Sequence, residues 1–381
     1  MESQQIHCEY KQYNNKKKEY VYCKLPVCVN KNGLHYCGNH LPLGEEGPNG
    51  KMIKCDLCNQ IIGEKIMNKH IKKCEVRKKE RDTQILSNEN IITPRIWIKK
   101  QFKIRDIPLT EIESLKMKIL TIYKTLSINV LKREIISPEI KEKFKNEQLN
   151  GKNGKTIFQE ISIFENLKKE KYFDFNRRNC FIELGCGAGS LSRTVQIGCN
   201  YNSSHILIDR MKYNSKNKYD NVIKSQLIGD NFISRKLIDI KDFSIQTEIN
   251  NKDINVIAIS KHLCGDACEL SLNKIIEYKE RISFAIATCC HYLLNHSNYC
   301  NMFFIHSVGI TDEEFDYLTR LTGWASLKED SNNYVIGKMI KEILDYGRLL
   351  YLEKNSFQSL LLLEYTTQTK ENHLIMGYKL H

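Results

Sequence analysis

The chain has 381 residues, 41% of them hydrophobic and 27% charged, which leaves room for more than one domain, since a single domain runs to about 100–200 residues. That balance excludes a disordered or fibrous chain, and no run of about 18 uncharged apolar residues is present that could span a bilayer. With 58 Lys and Arg against 45 Asp and Glu, the formal charge of +13 suits a polyanion, because Lys and Arg neutralise phosphates and release condensed counterions. The start, Met1 to Gln5, has neither the basic nor the apolar stretch of a secretory signal. The expectation is an intracellular protein, nuclear or cytoplasmic, in a reducing compartment, its 15 cysteines not joined as disulfides.

Residues 1–45 form the first predicted module. Cys8, Cys23, Cys28, Cys37 and His40 offer five ligands for four positions: Cys37 and His40 make one close pair, Cys8 and Cys23 complete a Cys3His zinc set, and Cys28 is an alternative. Residues 46–80 form the second, on Cys55, Cys58, His70 and Cys74. Here a tight knuckle presents two thiolates, and a His and a Cys one helical turn apart supply the rest. Neither module could bury much apolar surface alone, so two zinc ions per chain would drive their folding. Tyr10, Tyr13, Lys16 and Tyr22 in the first module, and Arg77-Lys78-Lys79-Glu80-Arg81 beside the second, favour RNA contact over the protein contact that such modules also make.

Residues 81–154 read as a helical linker, with apolar residues at helical spacing from Glu111 to Leu131. Residues 155–381 change pattern. Apolar runs at Cys180–Leu184, Ile206–Ile208, Val256–Ile259 and Phe284–Ala287 alternate with amphipathic stretches, which predicts an α/β, Rossmann-like domain with a mostly parallel sheet and helices on both faces.

The first of these strands runs into Glu183-Leu184-Gly185-Cys186-Gly187-Ala188-Gly189, with a helix expected from Ser190. Glycines there let the backbone turn sharply beside a ligand. A dinucleotide fingerprint would want Gly or Ala at 190, where the chain has Ser, so NAD is disfavoured. Asp209 closes the next strand about twenty residues on, placed to accept hydrogen bonds from a ribose. The expected cofactor set is therefore Glu183, Gly185, Gly187, Gly189 and Asp209, for an adenosine-containing ligand.

Lys261-His262-Leu263-Cys264-Gly265-Asp266 and Thr288-Cys289-Cys290-His291-Tyr292 follow two further strands, at the edge where ligands bind in such sheets. With these, the sequence resembles the eukaryotic, zinc-finger-containing tRNA 2′-O-ribose methyltransferases that modify the fourth nucleotide of the acceptor stem. The resemblance covers nearly the whole chain, and also rests on Gln159-Glu160-Ile161-Ser162-Ile163, Asp239-Ile240-Lys241-Asp242, Trp324-Ala325, Asp345-Tyr346-Gly347-Arg348 and Glu371-Asn372. It implies methyl transfer from S-adenosyl-L-methionine to a tRNA ribose hydroxyl, retention of both zinc modules, and adds Asp239 to the cofactor set. The chain departs from the family pattern at Ile61, where a histidine ligand is expected and Cys58 reads as its substitute. It departs again at Tyr292, Leu293 and Leu294 after the Cys-Cys-His motif, and at Asn214.

A ribose hydroxyl is a weak acid, so a base or a cation at the oxygen is needed. His262 and His291 are the candidate bases and Lys261 the candidate charge; Cys264, Cys289 and Cys290 read as small packing residues. Expected partners are tRNA, no membrane and no obligate protein. Two other readings stay open: a non-catalytic, zinc-dependent tRNA-binding scaffold, and a methyltransferase for another RNA or a small molecule. Cofactor affinity excludes the first of these, and a requirement for tRNA excludes the second.

Overall fold

The computed structural model describes residues 8–14, 19–23, 27, 29–31, 34–37, 40–55, 61–72, 104–146, 154–212, 219–249, 251 and 253–380. The predicted ligands Cys58 and Cys74, together with Cys28, Asn214 and the basic run 77–81, lie outside them. The chain divides into two compact units, Met1–Gln101 and Phe102–His381.

The first unit is built from short antiparallel pieces. Strands β1 (Cys8–Asn14) and β2 (Glu19–Cys23) pair with Cys8 opposite Cys23, and β3 (Val29–Lys31) pairs with β4 (Leu34–Tyr36). Strands β5 (Glu46–Gly47), β6 (Gly50–Lys54) and β7 (Ile61–Gly63) form a small sheet, followed by helical turns over 64–72, α1. Its buried clusters are very small. Among the described residues, one groups Cys8, Cys23 and Cys37, the other Cys55 and Met67 with partly buried Ile53, Ile62 and Ile71. Cysteines that serve as their own core are what a metal-nucleated module leaves in place of apolar packing.

The second unit begins earlier than a linker ending at 154 would allow. Helix α2 (Leu109–Leu126) buries Ile112, Leu115, Ile119 and Ile122 at intervals of three and four residues. They pack into one cluster with residues of α9 (Met302–Ser307), α10 (Asp312–Leu321) and α11 (Asn332–Lys354). Each such side chain contributes about 1.5–3 kcal/mol, so the helical pattern seen in the sequence marks a structural part of this unit. Strand β8 (Leu131–Lys132) and helices α3 (Pro138–Asn146) and α4 (Gly154–Lys169) follow.

The central sheet has eight strands in the order β11-β10-β9-β12-β13-β15-β14-β8. They are β9 (Asn179–Leu184), β10 (Ser204–Asp209), β11 (Ile233–Leu237), β12 (Asn255–Cys264), β13 (Ile282–Cys289), β14 (Gln358–Glu364) and β15 (His373–Lys379), with β8. Only β15 runs against its neighbours. Alternation along β9 sends Cys180, Ile182 and Leu184 to one face, with α8 (Ala267–Glu277), and Phe181 to the other, with α4 and α5 (Ser190–Gly198). The expected α/β architecture with two covered faces is present. After β9 the chain proceeds outward through β10 and β11, then returns to place β12 on the other side of β9. That reversal opens a crevice at the carboxyl ends of β9 and β12.

Candidate active site and metal centres

Gly185, directly after β9, has φ +71°, and a Cβ there would lie 2.7 Å from Leu263 Cδ2 of the neighbouring strand. Glycine makes that turn without the strain a side chain would add. Gly189 at φ +83° leads into α5, and its missing Cβ would stand 3.1 Å from Leu207 and 3.3 Å from the Arg235 guanidinium. Between them, the Gly187 amide donates to Asp209 Oδ2 (2.8 Å), and the Met211 amide donates to Asp209 Oδ1 (2.9 Å). Asp209 is half-buried, and each carboxylate oxygen keeps a further lone pair. A pinned carboxylate at the mouth of a glycine loop fits the vicinal hydroxyls of an adenosyl ribose. Asp239, after β11 on the same edge, accepts the Lys241 amide at 3.1 Å.

The sequence reading missed what braces this loop. Arg235 on β11 grips Asp220, the first residue of α6 (Asp220–Ser225), with two hydrogen bonds of 2.7 and 2.8 Å, and donates to the Gly187 carbonyl at 2.9 Å. Two residues fifteen positions apart, with no motif around them, carry no signal in a single sequence. Glu183 departs from expectation. By strand alternation it points to the α5 face, is buried, and accepts the Ser192 amide at 2.9 Å. It supports the loop from behind, and burial pushes its carboxyl up to about 7.

On the opposite side of the crevice, β12 carries Lys261 and His262. The pairing of β12 with β13 slips between Lys261 and Leu263, and His262 adopts φ +60°, a bulge that turns its exposed side chain out of the ladder. Its Nε2 lies 3.2 Å from Gln159 Oε1. Because that oxygen only accepts, Nε2 carries the proton and Nδ1 the lone pair. Partial burial and then the Lys261 ammonium hold the imidazole below its usual range. Lys261 donates to Glu160 on α4, a fully buried carboxylate that also accepts from Ser190 and, at 2.8 Å, from Thr194. The expected cation is thus fixed by a counter-charge.

His291 does not fit its expected role. It is 2% exposed, and its Nε2 lies 3.0 Å from Asp345 Oδ1. Asp345 also accepts from His373 (2.7 Å), Arg348 (2.6 Å) and Thr288 (3.1 Å), and Arg348 donates in turn to Glu269 (2.8 Å). Burial alone would raise the Asp345 carboxyl, but His291, His373 and Arg348 hold it well below its usual range. An imidazole sealed in that network is a structural member, since a base must reach the proton it removes. Cys264 also differs from expectation: it is exposed, with its Sγ 3.3 Å from Cys289 and 3.2 Å from Cys290.

In the first unit, the Cys8, Cys23 and Cys37 thiols and the His40 imidazole all fall within 4.8 Å of one another. Cys23 and Cys37 are 3.9 Å apart, and His40 Nδ1 is 3.3 Å from Cys37 and 3.8 Å from Cys8. Three soft thiolate donors and one imidazole suit a tetrahedral zinc ion. Of the second predicted set, Cys55 is buried at the end of β6 and His70 lies half-buried on α1.

The comparison with known proteins coincides with this geometry. The family model "Methyltransferase TRM13" matches residues 158–335, a span running from α4 into α11 and holding every side chain of the crevice named above. A protein of Vanderwaltozyma polyspora named "tRNA:m(4)X modification enzyme TRM13" is 29% identical, covering 93% of this chain and 93% of its own length. The Schizosaccharomyces pombe protein of that name is also 29% identical, over 81% of this chain and 90% of its own. Over residues 158–335 the chain is similar to the TRM13 methyltransferases. It spans about half of a Dictyostelium discoideum TRM13 homologue, which is 28% identical over 59% of this chain and 53% of its own length.

Several TRM13-like motifs now acquire physical roles. Gln159 and Glu160 position His262 and Lys261 from α4, and Asp345 and Arg348 hold the floor under His291. No helix among the described residues is long and apolar enough to cross a membrane.

Proposed function

We propose that the chain transfers a methyl group from S-adenosyl-L-methionine to the ribose 2′-hydroxyl of nucleotide 4 in the tRNA acceptor stem, with its zinc modules assisting tRNA binding. The observation that carries this reading is the convergence on one sheet edge of the Asp209-pinned glycine loop and the bulged His262. Gly185, Gly187 and Gly189 line the cofactor crevice, Asp209 takes the ribose hydroxyls and Asp239 the adenine side. When bound, S-adenosyl-L-methionine supplies an electrophilic methyl group. The protein's tasks are then to align the ribose oxygen and to receive its proton. His262 Nδ1 receives the proton; Lys261, oriented by Glu160, steadies the developing negative charge on the oxygen.

Zinc is proposed at Cys8, Cys23, Cys37 and His40, and at Cys55 and His70 with Cys58 and Cys74. The basic and aromatic residues near the first set in sequence are of types that suit stacking and phosphate contact with an RNA. The test is incubation of the full chain with methyl-labelled S-adenosyl-L-methionine and total tRNA. Label at position 4, in a dinucleotide that resists alkali because its 2′-hydroxyl is blocked, is the expected result. Binding of tRNA without any affinity for the methyl donor overturns the enzymatic reading.

A further inference from the structure

Cys264 and Cys289 end two adjacent parallel strands and are register partners, so their side chains emerge side by side at the carboxyl edge. The next residue, Cys290, takes φ +52°, a left-handed conformation that non-glycine residues seldom adopt. It caps the short 3-10 turn His291–Leu293, and its thiol turns back toward the other two. All three Sγ atoms fall within 4.8 Å of one another. His262, another non-glycine residue in the left-handed region at this edge, stands two positions before Cys264. Two unfavourable backbone conformations flanking one thiol cluster mark a built arrangement, since such strain persists only where its surroundings impose it.

We propose that Cys264, Cys289 and Cys290 form a third metal site, distinct from the two amino-terminal clusters, that binds a soft cation of the zinc class through three thiolates. The donor set selects the class: thiolates suit zinc or copper(I), whereas magnesium and calcium require oxygen. The dimensions agree. A tetrahedral ion with bonds of about 2.3 Å to sulfur separates its ligands by about 3.8 Å. Here the separations are 3.3 and 3.2 Å, so the thiols spread by about half an ångström to admit it. In the first cluster the Cys23 and Cys37 sulfurs stand 3.9 Å apart. Cys289 is buried and forms the floor, while exposed Cys264 provides the entry path. Three protein ligands leave the fourth coordination position for water or a substrate group, the pattern of an open site. The departure at Tyr292, Leu293 and Leu294 lies just beyond the cluster and leaves its three sulfurs intact.

The full-length chain is purified anaerobically with a phosphine reductant, loaded with zinc, desalted and analysed for metal. Wild type is expected to hold about one zinc more per chain than Cys264→Ser, in line with one ion per site. A second measurement needs no variant. Maleimide labelling of wild type, read by peptide mass spectrometry, should slow at Cys264 and Cys290 by about tenfold or more with zinc bound, as the thiolate is the reactive form, and not at all with magnesium. Equal zinc content in the two proteins together with labelling indifferent to zinc overturns the proposal. So does a disulfide between any two of these cysteines under the reducing conditions. Neither readout uses methyl transfer, so failure here leaves the catalytic reading standing, and failure of catalysis leaves this site standing.

Discussion

Glu160 and Lys261 form an ion pair in which the carboxylate is fully buried and the ammonium retains slight exposure. The pair joins α4 to the end of β12, so it fixes a cation at the crevice by linking two elements a hundred residues apart in sequence. Glu160→Gln keeps one acceptor oxygen, for either Ser190 or Thr194, and removes the counter-charge. The expected result is a loss of about 10²-fold in kcat, the scale of a misplaced catalytic group, with affinity for the methyl donor little changed. Single-turnover methylation and calorimetry check it; a raised KM for the donor at unchanged kcat would refute it.

His262 is held in a strained conformation at its bulge. His262→Ala and His262→Gly both remove the base and should slow methyl transfer by about 10²–10⁴-fold. They differ in stability, because glycine accepts φ +60° without cost whereas alanine keeps the strain of about 1–3 kcal/mol. Thermal unfolding of the two variants should therefore place the glycine protein higher by several degrees. Equal rates to wild type in either variant would remove His262 from the chemistry.

Glu183 gives a pH prediction with a definite sign. Its carboxyl is raised to about 7 from an ordinary 4.5, so the folded state favours the protonated form. Its contribution to stability is fully present below the ordinary value and is lost as pH rises through about 7. Glu183→Gln should accordingly be more stable than wild type at pH 8 and lose that advantage below about pH 5. Denaturant titrations across this range measure the difference; an advantage that grows on acidification would be the opposite sign. Affinity for the methyl donor should change little, as the carboxylate faces Ser192.

Arg235→Lys replaces a two-pronged grip on Asp220 with a point charge. The loop around Gly187 loses its external brace, and affinity for the methyl donor should weaken by about tenfold or more, the size of one hydrogen bond to a charged group. Isothermal titration reads this directly. Unchanged affinity would show that the Asp209 contacts alone fix the loop.

Cys23→Ser should lower the zinc content by about one ion per chain and unfold the first unit locally, because ligand loss removes the metal that drives folding. Binding of tRNA should weaken while donor affinity stays constant. A variant that keeps full zinc and tRNA binding would move the ligand role to Cys28.

Much of this layout could be read in one sequence because the signals were local. Four short apolar runs located β9, β10, β12 and β13, since a strand buried on both faces has no polar alternation to disguise it. The alternating glycines and Asp209 lie at fixed distances from strand ends, and the Cys8, Cys23, Cys37 and His40 set is declared by residue type. What was not legible depends on partners far away in the chain. Glu160 finds Lys261 and Arg235 finds Asp220 only after the sheet forms. His291 resembles a catalytic histidine until Asp345, Arg348 and His373 close around it from α11 and β15. The inward turn of Glu183 follows from the period-two alternation of β9, which was available but outweighed by its place beside the glycines. The helical spacing from Glu111 to Leu131 falls largely on α2, which ends at Leu126, yet periodicity alone cannot say which surface an apolar stripe covers.

Strand β8 is only Leu131–Lys132, but it lies against β14, and the Arg133 amide extends the pairing to the Glu364 carbonyl at 2.9 Å. A fragment started at 154 would strip that cover and bare the backbone of β14 at Leu363 and Glu364, lengthening an open edge that can stack against another copy. One started near 102 would keep that end of β14 paired and its α2 stripe clothed. Where the enzyme can be trimmed is therefore decided by two residues that carry no chemistry.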